Sequence, residues 1–443
     1  MENSLSRAFT ARSLLVFALP TMVMMLFMSL YTMVDGVFVA RFAGTAALSA
    51  VNIVYPLVNV VIAVGVMLAA GGSAVVAKKL GEGHTDGARA DFTLIILAGA
   101  VIGTAILALG LAFLDPILRL LGASDAIFDL CRDYGRAMLL FAPACVLMML
   151  FQTLFVTSGK PKLGLIVTIL GGLLNIVLDY VFIVPLGLGI AGAGYATGIG
   201  YSVPALFGLV YFFVKRKGTL FFVRPSFSGR TLAQSCSNGS SEAVTQLSTA
   251  VTTFLFNILM MRYAGEDGVA SITIVLYAQY LLTALYLGYA TGTAPVVSFN
   301  FGMGDRPRLR ALLRISLVFV AVGSLITFAL ALLLAKQIVL IFADRGTAVF
   351  DMSVYGFRIF AFSFLFDGLS IYVSSFFTAL SDGKTSAAIS FLRTFVFIVL
   401  ALFTLPAAIG LDGIWLAIPA AEFLGAICSA AFLFANRRKY EYM

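Results

Sequence analysis

The sequence predicts an all-α integral membrane protein with twelve transmembrane helices in two six-helix bundles, residues 1–221 and 222–443, related by a parallel pseudo-two-fold repeat. Three observations favour this fold class. Hydrophobic residues make up 61% of the chain and charged residues only 11%, whereas soluble domains are near half apolar and a quarter charged. Twelve apolar runs are long enough to cross a bilayer, and short motifs recur at an offset of half the chain.

The apolar runs follow one another with short connections, so each is predicted to form one span. Arg7 and Arg12 precede the first run, which is longer than the apolar core of a typical signal peptide, and we expect that run to be retained. The longest basic connector is predicted at 215–230, midway along the chain. In order, the predicted spans are 14–38, 51–77, 92–114, 137–157, 163–184, 192–214, 240–261, 270–296, 311–335, 354–380, 386–408 and 413–435.

Basic residues distinguish the two sets of loops. Most of the 29 Lys and Arg residues lie in the N-terminus, in alternate loops and in the C-terminus. By the positive-inside rule, both termini of this multi-pass chain face the cytoplasm, and we expect it in a prokaryotic inner (cell) membrane. These loops also explain the net charge of +8, so no nucleic-acid partner is expected.

The sequence offers no metal or cofactor motif. Its four cysteines form no CxxC pair and His84 is its one histidine, whereas zinc and haem sites need clusters of such ligands. Nucleophile-elbow, HExxH, P-loop and Asp-rich motifs are absent from the sequence as well. We therefore expect no cofactor and no enzymatic activity.

A shift of 221 residues superposes the two halves of the sequence. It places residues 41–44 (Arg-Phe-Ala-Gly) on 262–265 (Arg-Tyr-Ala-Gly), and the Gly-x-Gly of 81–83 on that of 302–304. Because each half carries six spans, both halves enter the membrane in the same direction. The repeat is therefore predicted to be parallel, with its axis along the membrane normal.

Two carboxylates stand out because they interrupt or end apolar spans. Asp179 lies within the fifth span, where an ionised group costs about 2.5–3.5 kcal/mol, and Asn175 lies one helical turn before it on the same face. Asp35 ends the first span, where it could instead snorkel to the membrane surface. The second half carries apolar residues at the matching positions, Phe256 and about Leu400, so the N-terminal half is the predicted coupling site.

The other charged groups inside spans have structural alternatives. Glu242 follows a polar run and could simply cap the seventh helix, and Asp367 lies in the middle of its predicted span. Arg393 and Glu422 are a candidate structural ion pair. Pro20 removes a backbone hydrogen bond inside the first helix and predicts a bend there, either a static kink or a moving hinge.

In these features the chain resembles the multidrug and toxic compound extrusion (MATE) family over essentially its full length, and it is most similar to the prokaryotic DinF-like branch. The resemblance rests on the twelve spans in two halves, on residues 33–41 (MVDGVFVAR) and 191–197 (AGAGYAT), and on Asn175-x-x-x-Asp179. It implies a secondary active multidrug efflux transporter that works by alternating access and exports cationic, amphipathic compounds in antiport with protons or sodium.

Carried over to this sequence, the resemblance implies particular site residues. The cation-coupling site would comprise Asp35, Asn175, Asp179 and Thr197, with Tyr134 in its hydrogen-bond network. The first helix would bend at Pro20. Glu242 and Asp367 resemble the C-lobe acids of the NorM-like branch and form a candidate second site. No metal site is firm, although sodium would suit the carboxylate, amide and hydroxyl oxygens of the coupling site.

Physical reasoning adds a mechanism to this site. In an apolar cavity, two neighbouring carboxyl groups favour holding a proton between them. If proton and drug favour opposite states of one site, their exchange is coupled. We expect protonation to draw Asp35 and Asp179 together, to bend the first helix at Pro20 and to expel the drug. The expected partners are small cationic, aromatic drug-like substrates and the lipid bilayer, and the chain is expected to be a monomer.

Two rival functions stay open at this point. A lipid-linked oligosaccharide flippase of the wider superfamily would need a markedly basic cavity, whereas Arg393 is the one basic residue predicted deep inside a span. A membrane-embedded transferase would need an Asp-rich metal motif, which the sequence lacks. Both are less favoured than drug efflux.

Overall fold

The computed structural model describes residues 5–43, 45–216 and 218–443. Gly44, the last residue of the first repeated motif, and Lys217, in the basic connector, lie outside these ranges. Within them the chain is almost entirely helical and contains no β-strand. This is expected of a chain whose backbone polar groups must be satisfied within the apolar core of a bilayer.

The first half contains the helices α1 (Ala11–Phe38), α2 (Thr45–Gly81), α3 (Thr85–Ala112), α4 (Leu114–Leu120), α5 (Phe128–Leu140), α6 (Ala142–Thr157), α7 (Pro161–Ile183) and α8 (Gly189–Val214). A π-helical turn, Val39–Ala43, continues α1. Together α5 and α6 form one span that is bent by 49°. Pro143 in the first turn of α6 explains the break, because proline cannot donate the backbone hydrogen bond that would continue α5.

The second half contains the helices α9 (Gly229–Gly302), α10 (Arg306–Leu333), α11 (Ala335–Val339), α12 (Ala348–Phe360), α13 (Phe364–Ala379), α14 (Gly383–Phe391), α15 (Phe397–Ile409) and α16 (Leu411–Tyr440). A 3-10 turn, Ala361–Ser363, joins α12 to α13 within one span. A π-helical turn, Leu392–Val396, joins α14 to α15 within another.

The long helix α9 supplies two spans and not one. Its 74 residues would extend about 110 Å if straight, far beyond the roughly 30 Å core of a bilayer. Gly265 divides it, since its backbone angles (φ 65°, ψ −153°) are not helical and are readily adopted only by glycine. In the described ranges ten helices are long and apolar enough to cross a membrane, and the bent pair α5–α6 adds one more. With the division of α9, these make the twelve predicted spans.

The helix that contains the predicted seventh span begins eleven residues before residue 240, the predicted start of that span. Helix α9 begins at Gly229, where the side chain of Ser228 accepts a hydrogen bond from the backbone N–H of Thr231. The polar run before Glu242 is helical and largely shielded, with Ser235 and Ser241 buried. The Ser235 hydroxyl donates to the Thr231 carbonyl of the same helix, and the Ser241 hydroxyl shares a hydrogen bond with Thr378 of α13. It follows that Glu242 does not cap this helix.

The two halves meet where α1 and α2 pack against α9, closely enough to require glycine. A methyl group on Gly81 would overlap the carbonyl oxygen of Phe299, and one on Gly302 would overlap that of Lys78. These two contacts are related by the same 221-residue offset that relates the sequence motifs. The repeat in the sequence is therefore also a repeat in the packing, while the exact boundary at 221 stays a prediction.

Ser6, the described part of the connector (215–216 and 218–228) and the C-terminal residues Tyr440 and Glu441 lie at the ends of helices, and we call this end of the molecule the base. A guanidinium nitrogen of Arg308 donates to the carbonyl of Ser6 at 2.7 Å. Arg89 Nε donates to the carbonyl of Thr219 in the connector at 3.1 Å. Basic side chains thus fasten the N-terminus and the connector to the helix ends.

At the base, the C-terminal tail docks on Asp382. The Tyr440 phenol donates to this carboxylate at 2.6 Å and the Lys439 ammonium at 3.2 Å, and the backbone N–H of Thr385 donates to it as the cap of α14. Although burial opposes ionisation, these hydrogen bonds hold the pKa of Asp382 below its ordinary value. The tail contact therefore depends on an ionised carboxylate.

Candidate functional site

Asp35, near the end of α1, and Asp179, in α7, face each other. Their carboxyl groups lie within hydrogen-bonding reach of one another. Asp179 is completely buried, and among the described residues neither of its oxygen atoms accepts a hydrogen bond from an N–H group or a hydroxyl. Two carboxyl groups can make this contact favourably only if one of them is protonated and donates to the other. We call Asp35 and Asp179 the N-lobe pair.

The N-lobe pair has no fixed positive charge beside it in the described ranges. No Lys, Arg or His side chain acts on either carboxyl group. An ionised carboxylate that is buried without a partner is strongly disfavoured. Neutralising charge therefore has to reach this pair as a proton, a metal cation or a cationic ligand.

Asn175 and Thr197 extend the polar site from α7 to α8. The amide of Asn175 donates to the Thr197 hydroxyl at 3.4 Å, and both side chains are buried. The two helices can come this close because Gly200 has no side chain. A methyl group there would lie only 2.9 Å from the Asn175 β-carbon. The Oδ1 atom of Asn175 has no hydrogen-bond partner among the described residues, which leaves an acceptor free for a proton donor or a cation.

Tyr134 of α5 closes the site from a fourth helix. Its ring packs against Gly194 of α8, and its phenol lies close enough to Asp35 and Asp179 to sense the charge of both. The structure thus brings together all five residues predicted for the coupling site, from α1, α5, α7 and α8.

A small, partly open cavity of about 10 Å³ lies beside Asn175 and Thr197. Gln152 lines it and donates to the Thr168 hydroxyl at 3.0 Å. Tyr201 lines it as well. Neither residue was predicted for the site, because both are uncharged. An amide in the apolar run of α6 was the signal that could have identified Gln152.

The oxygen-rich site suits a proton or a hard monovalent cation better than a transition metal. Among the described residues no group of three or more His, Cys, Asp and Glu side chains is placed to hold a metal ion. The carboxylate, amide and hydroxyl oxygens of Asp35, Asp179, Asn175 and Thr197 are the ligand types that sodium prefers.

In the second half, Arg393 joins two buried carboxyl groups. Its Nε atom donates to both oxygens of Glu422, at 2.8 and 2.6 Å, and its Nη2 atom lies 3.6 Å from Oδ1 of Asp367. Arg393 stands on the π-helical turn between α14 and α15, Glu422 on α16 and Asp367 on α13. The structure thus brings the candidate ion pair, Arg393 and Glu422, together with Asp367, which was predicted for a separate site. The spacing of these residues in the sequence does not indicate this contact.

Glu242 of α9 completes this group, because it lies within electrostatic reach of Arg393 and is partly buried. We call Glu242, Asp367, Arg393 and Glu422 the C-lobe cluster. It contains three carboxyl groups and one guanidinium, whereas the N-lobe pair contains carboxyl groups alone.

Tyrosines from both halves meet between the lobes. Tyr55 of α2 lies near Tyr277 and Tyr280 of α9, and Tyr280 shares a hydrogen bond with Ser29 of α1. The three tyrosines are 51, 45 and 47% exposed although they sit on membrane-length helices that face each other. Exposed aromatic rings of both lobes therefore lie together, and we call this region the interlobe cleft.

Pro20 lies where the first helix meets the other lobe. Helix α1 runs through Pro20 without a break, and its neighbours Ala18 and Thr21 contact Gly292 of α9. A bend at Pro20 would therefore disturb a contact between the lobes, and it stays a prediction.

Sequence comparison relates the chain to known proteins. The family model MatE matches residues 20–181 and 243–403. The chain is 22% identical to Multidrug export protein MepA of Staphylococcus saprophyticus over 429 residues, which cover 96% of this chain and 94% of that protein. It is 23% identical to the MepA of Staphylococcus haemolyticus, over 97% of this chain and 94% of that protein.

Solved structures show the same fold. One is a MATE in complex with MaL6, with a TM-score of 0.94, 24% identity and full coverage of both chains. Another is an outward-facing conformation of a multidrug resistance MATE family transporter of the MOP superfamily, with a TM-score of 0.92, 25% identity and 98% of both chains covered. These matches confirm the predicted fold class of twelve membrane helices in two repeated halves.

Proposed function

The chain belongs to the MatE family of membrane transporters, and on that premise we propose that it is a secondary active multidrug exporter that exchanges protons for cationic, amphipathic compounds. Its similarity to multidrug export proteins over almost the whole chain supports this substrate class. The N-lobe pair is the proposed coupling site.

One observation carries this proposal: Asp35 and Asp179 are in contact without a basic side chain beside them in the described ranges. In the absence of a fixed cation, the pair is stable only when a proton or another cation neutralises it. Such a site can alternate between a protonated state and a state that balances the charge of a cationic drug. Competition between the two ligands for one charge is the physical basis of antiport.

In the proposed cycle, proton and drug favour opposite conformations of the N-lobe. Protonation lets Asp35 and Asp179 approach, which pulls the end of α1 towards α7 and shrinks the cavity beside Asn175. Bending of α1 at Pro20 would transmit this movement to the contact with α9. Loss of the proton separates the carboxylates and restores their attraction for a cation.

The interlobe cleft is the proposed entry to this site for the drug. Tyr55, Tyr277 and Tyr280 offer exposed ring faces there, and aromatic faces attract organic cations and stack on their rings. The base, where the basic residues gather, is the proposed cytoplasmic side. The protein would then expel its substrate from the opposite end of the cleft.

Exchange of one proton for one monovalent cation moves no net charge. The pH gradient alone drives it, and one pH unit corresponds to about 1.4 kcal/mol, or roughly a tenfold drug gradient. A membrane potential at equal pH should therefore leave such an exchange unaffected.

The test uses purified protein in proteoliposomes, with ethidium as a monovalent aromatic probe. A pH jump without sodium is expected to drive ethidium transport, whereas a sodium jump at equal pH is not. Asp179→Asn should reduce the pH-driven transport to the background of empty vesicles. Wild-type rates in this variant would exclude Asp179 as a coupling group, and transport on the sodium jump alone would identify sodium as the coupling ion.

The matched control is Asp115→Asn, at another carboxylate that accepts hydrogen bonds. Asp115 lies on the short helix α4, half exposed, and accepts from the guanidinium of Arg132 at 2.9 and 2.5 Å. Removal of this charge should leave ethidium transport at the wild-type rate, because Asp115 lies in the first turn of α4 and is not among the groups that act on Asp35 or Asp179.

A further inference from the structure

We propose that Arg393 is a built-in cation of the C-lobe cluster, which keeps a second transported proton or metal cation out of that lobe. The inference rests on the proposed function of the N-lobe pair as the coupling site. It makes Arg393 the residue that sets the stoichiometry of exchange, one proton for one monovalent drug.

The contacts of Arg393 place its charge where a free cation would otherwise bind. Its guanidinium contacts Glu422 at 2.6–2.8 Å and Asp367 at 3.6 Å. Asp367 is completely buried, and neither of its oxygens accepts a hydrogen bond from another N–H group or hydroxyl in the described ranges. Arg393 is thus the one ion-pair partner of Asp367 in the described chain.

The backbone fixes this arrangement. Arg393 stands on a π-helical turn, a feature that inserts an extra residue into a helix and redirects the side chains around it. Its β- and γ-carbons pack at 3.2–3.3 Å from the position of a methyl group on Gly425 of α16, so a larger residue there would push the side chain away. The side chain is only 11% exposed.

A tethered guanidinium differs from a transported ion in two ways. It is held beside the carboxylates at a high effective concentration, and it keeps its proton at any physiological pH. The positive charge that compensates Asp367 and Glu422 therefore does not change when the outside pH falls. A carboxylate with such a permanent ion-pair partner does not need to take up a proton in one conformation and release it in another.

The other groups around Asp367 do not replace this charge. Tyr286 of α9 faces Asp367 and is neutral at ordinary pH, while Glu242 adds a further negative charge near Arg393. In the described ranges no charged side chain of α10 or α14, which also pack against α13, forms an ion pair with Asp367. Removal of Arg393 would thus leave Asp367 buried without a basic partner, as Asp35 and Asp179 are in the N-lobe.

The test is the double variant Arg393→Gln with Glu422→Gln, which removes one positive and one negative charge together. Asp367 is then free to carry a second proton, and exchange with ethidium becomes electrogenic. A valinomycin-imposed potential at equal pH should shift the equilibrium ethidium ratio by roughly fiftyfold per 100 mV, and should have no effect on the wild type. Addition of Asp367→Asn should restore the insensitivity.

Two results would overturn the inference: a wild-type protein that already responds to the potential, or a transporting double variant that does not. If the double variant fails to fold, the wild type decides alone, through the number of protons released per ethidium bound to the purified protein. One proton is expected, and two would refute the role of Arg393. Paired removal of Arg132 and Asp115, by Arg132→Gln with Asp115→Asn, is the control for loss of an Arg–Asp pair and should change nothing.

The Asp179→Asn variant separates this inference from the proposed function. If proton release persists in Asp179→Asn, the N-lobe pair is not the coupling site, whatever the double variant does. If release is lost in Asp179→Asn but the double variant gains no response to the potential, only the role assigned to Arg393 fails.

Discussion

In the N-terminal lobe, Asp35 and Asp179 face each other without a basic partner in the described chain, whereas in the C-terminal lobe Asp367 and Glu422 flank the guanidinium of Arg393. Both lobes bury carboxyl groups at a cost of several kcal/mol unless they are compensated. The N-lobe must import the compensating charge, while the C-lobe carries it permanently. The same fold, used twice, thus supports an exchangeable site in one half and a fixed one in the other.

Two positions matched by the repeat carry side chains of different charge. The residue 221 positions before Glu422 is Tyr201, which lines the N-lobe cavity and shares a hydrogen bond with Tyr31. A phenol is neutral, whereas the matching position of the other lobe has a carboxylate, so no arginine is needed beside Tyr201 to compensate a charge. The two lobes therefore share a fold but differ in the charged residues that they bury.

The largest effect is expected when each lobe loses one carboxylate in turn. Asp179→Asn should abolish pH-driven ethidium transport, since the shared proton has lost its site. Asp367→Asn removes a carboxylate whose charge Arg393 already compensates, so most of the transport rate should remain. Initial rates in proteoliposomes of equal protein content measure both. Equal losses would mean that the two lobes do not differ in function.

Loss of the arginine should destabilise the protein strongly. Arg393→Leu leaves two buried carboxylates without their cation, which costs about 3–5 kcal/mol. Thermal unfolding in detergent should show a large fall in Tm for this variant. The charge-balanced Arg393→Gln with Glu422→Gln should lose much less, and an equal loss in both variants would show that packing and not charge holds the cluster.

A smaller effect is expected where the lobes touch. Gly71 of α2 lies against the Ser235 carbonyl and the Gly239 backbone N–H of α9, so Gly71→Ala overpacks the contact by about 1–3 kcal/mol. The neighbouring Cys236, partly exposed, reports on separation of the lobes. In a chain whose only cysteine is Cys236, alkylation by a maleimide should become several-fold faster.

The control for this contact is Gly229→Ala at the start of α9, where a methyl group would meet no atom within 4 Å. Its alkylation rate at Cys236 should equal that of the parent. An unchanged rate in Gly71→Ala as well would mean that the lobes absorb the extra methyl group without separating.

The smallest effect concerns Asp382, a carboxylate at the base that is held by groups near water. Because hydrogen bonds lower its pKa in the folded protein, its contribution is present above its ordinary pKa and is lost as the pH falls through the lowered value. Tyr440→Phe removes one of these bonds, at about 1 kcal/mol. Tryptic cleavage after Arg437 and Arg438 at neutral pH should be faster in this variant than in the wild type. Equal cleavage rates would contradict the tail contact.

Much of the fold could be predicted from the sequence, because membrane spans are a one-dimensional signal. Apolar length alone located the twelve spans, and the 221-residue offset revealed the parallel repeat. The early start of α9 was not predicted, because Ser235 and Ser241 find hydrogen-bond partners inside the protein although their residue type suggests exposure. The residues of the N-lobe site were also predictable in part, since Asn175 and Asp179 share one face of one helix.

What the sequence determined by itself is the class of protein, the repeat and the presence of acids in both halves, since each follows from residue type and spacing along the chain. Only the tertiary structure decided which acids meet a cation. Asp367 and Arg393 lie on different elements, and Tyr55 meets Tyr277 across the two lobes. Electrostatic compensation depends on distances of a few ångströms between distant parts of the chain, and those distances are fixed by helix packing.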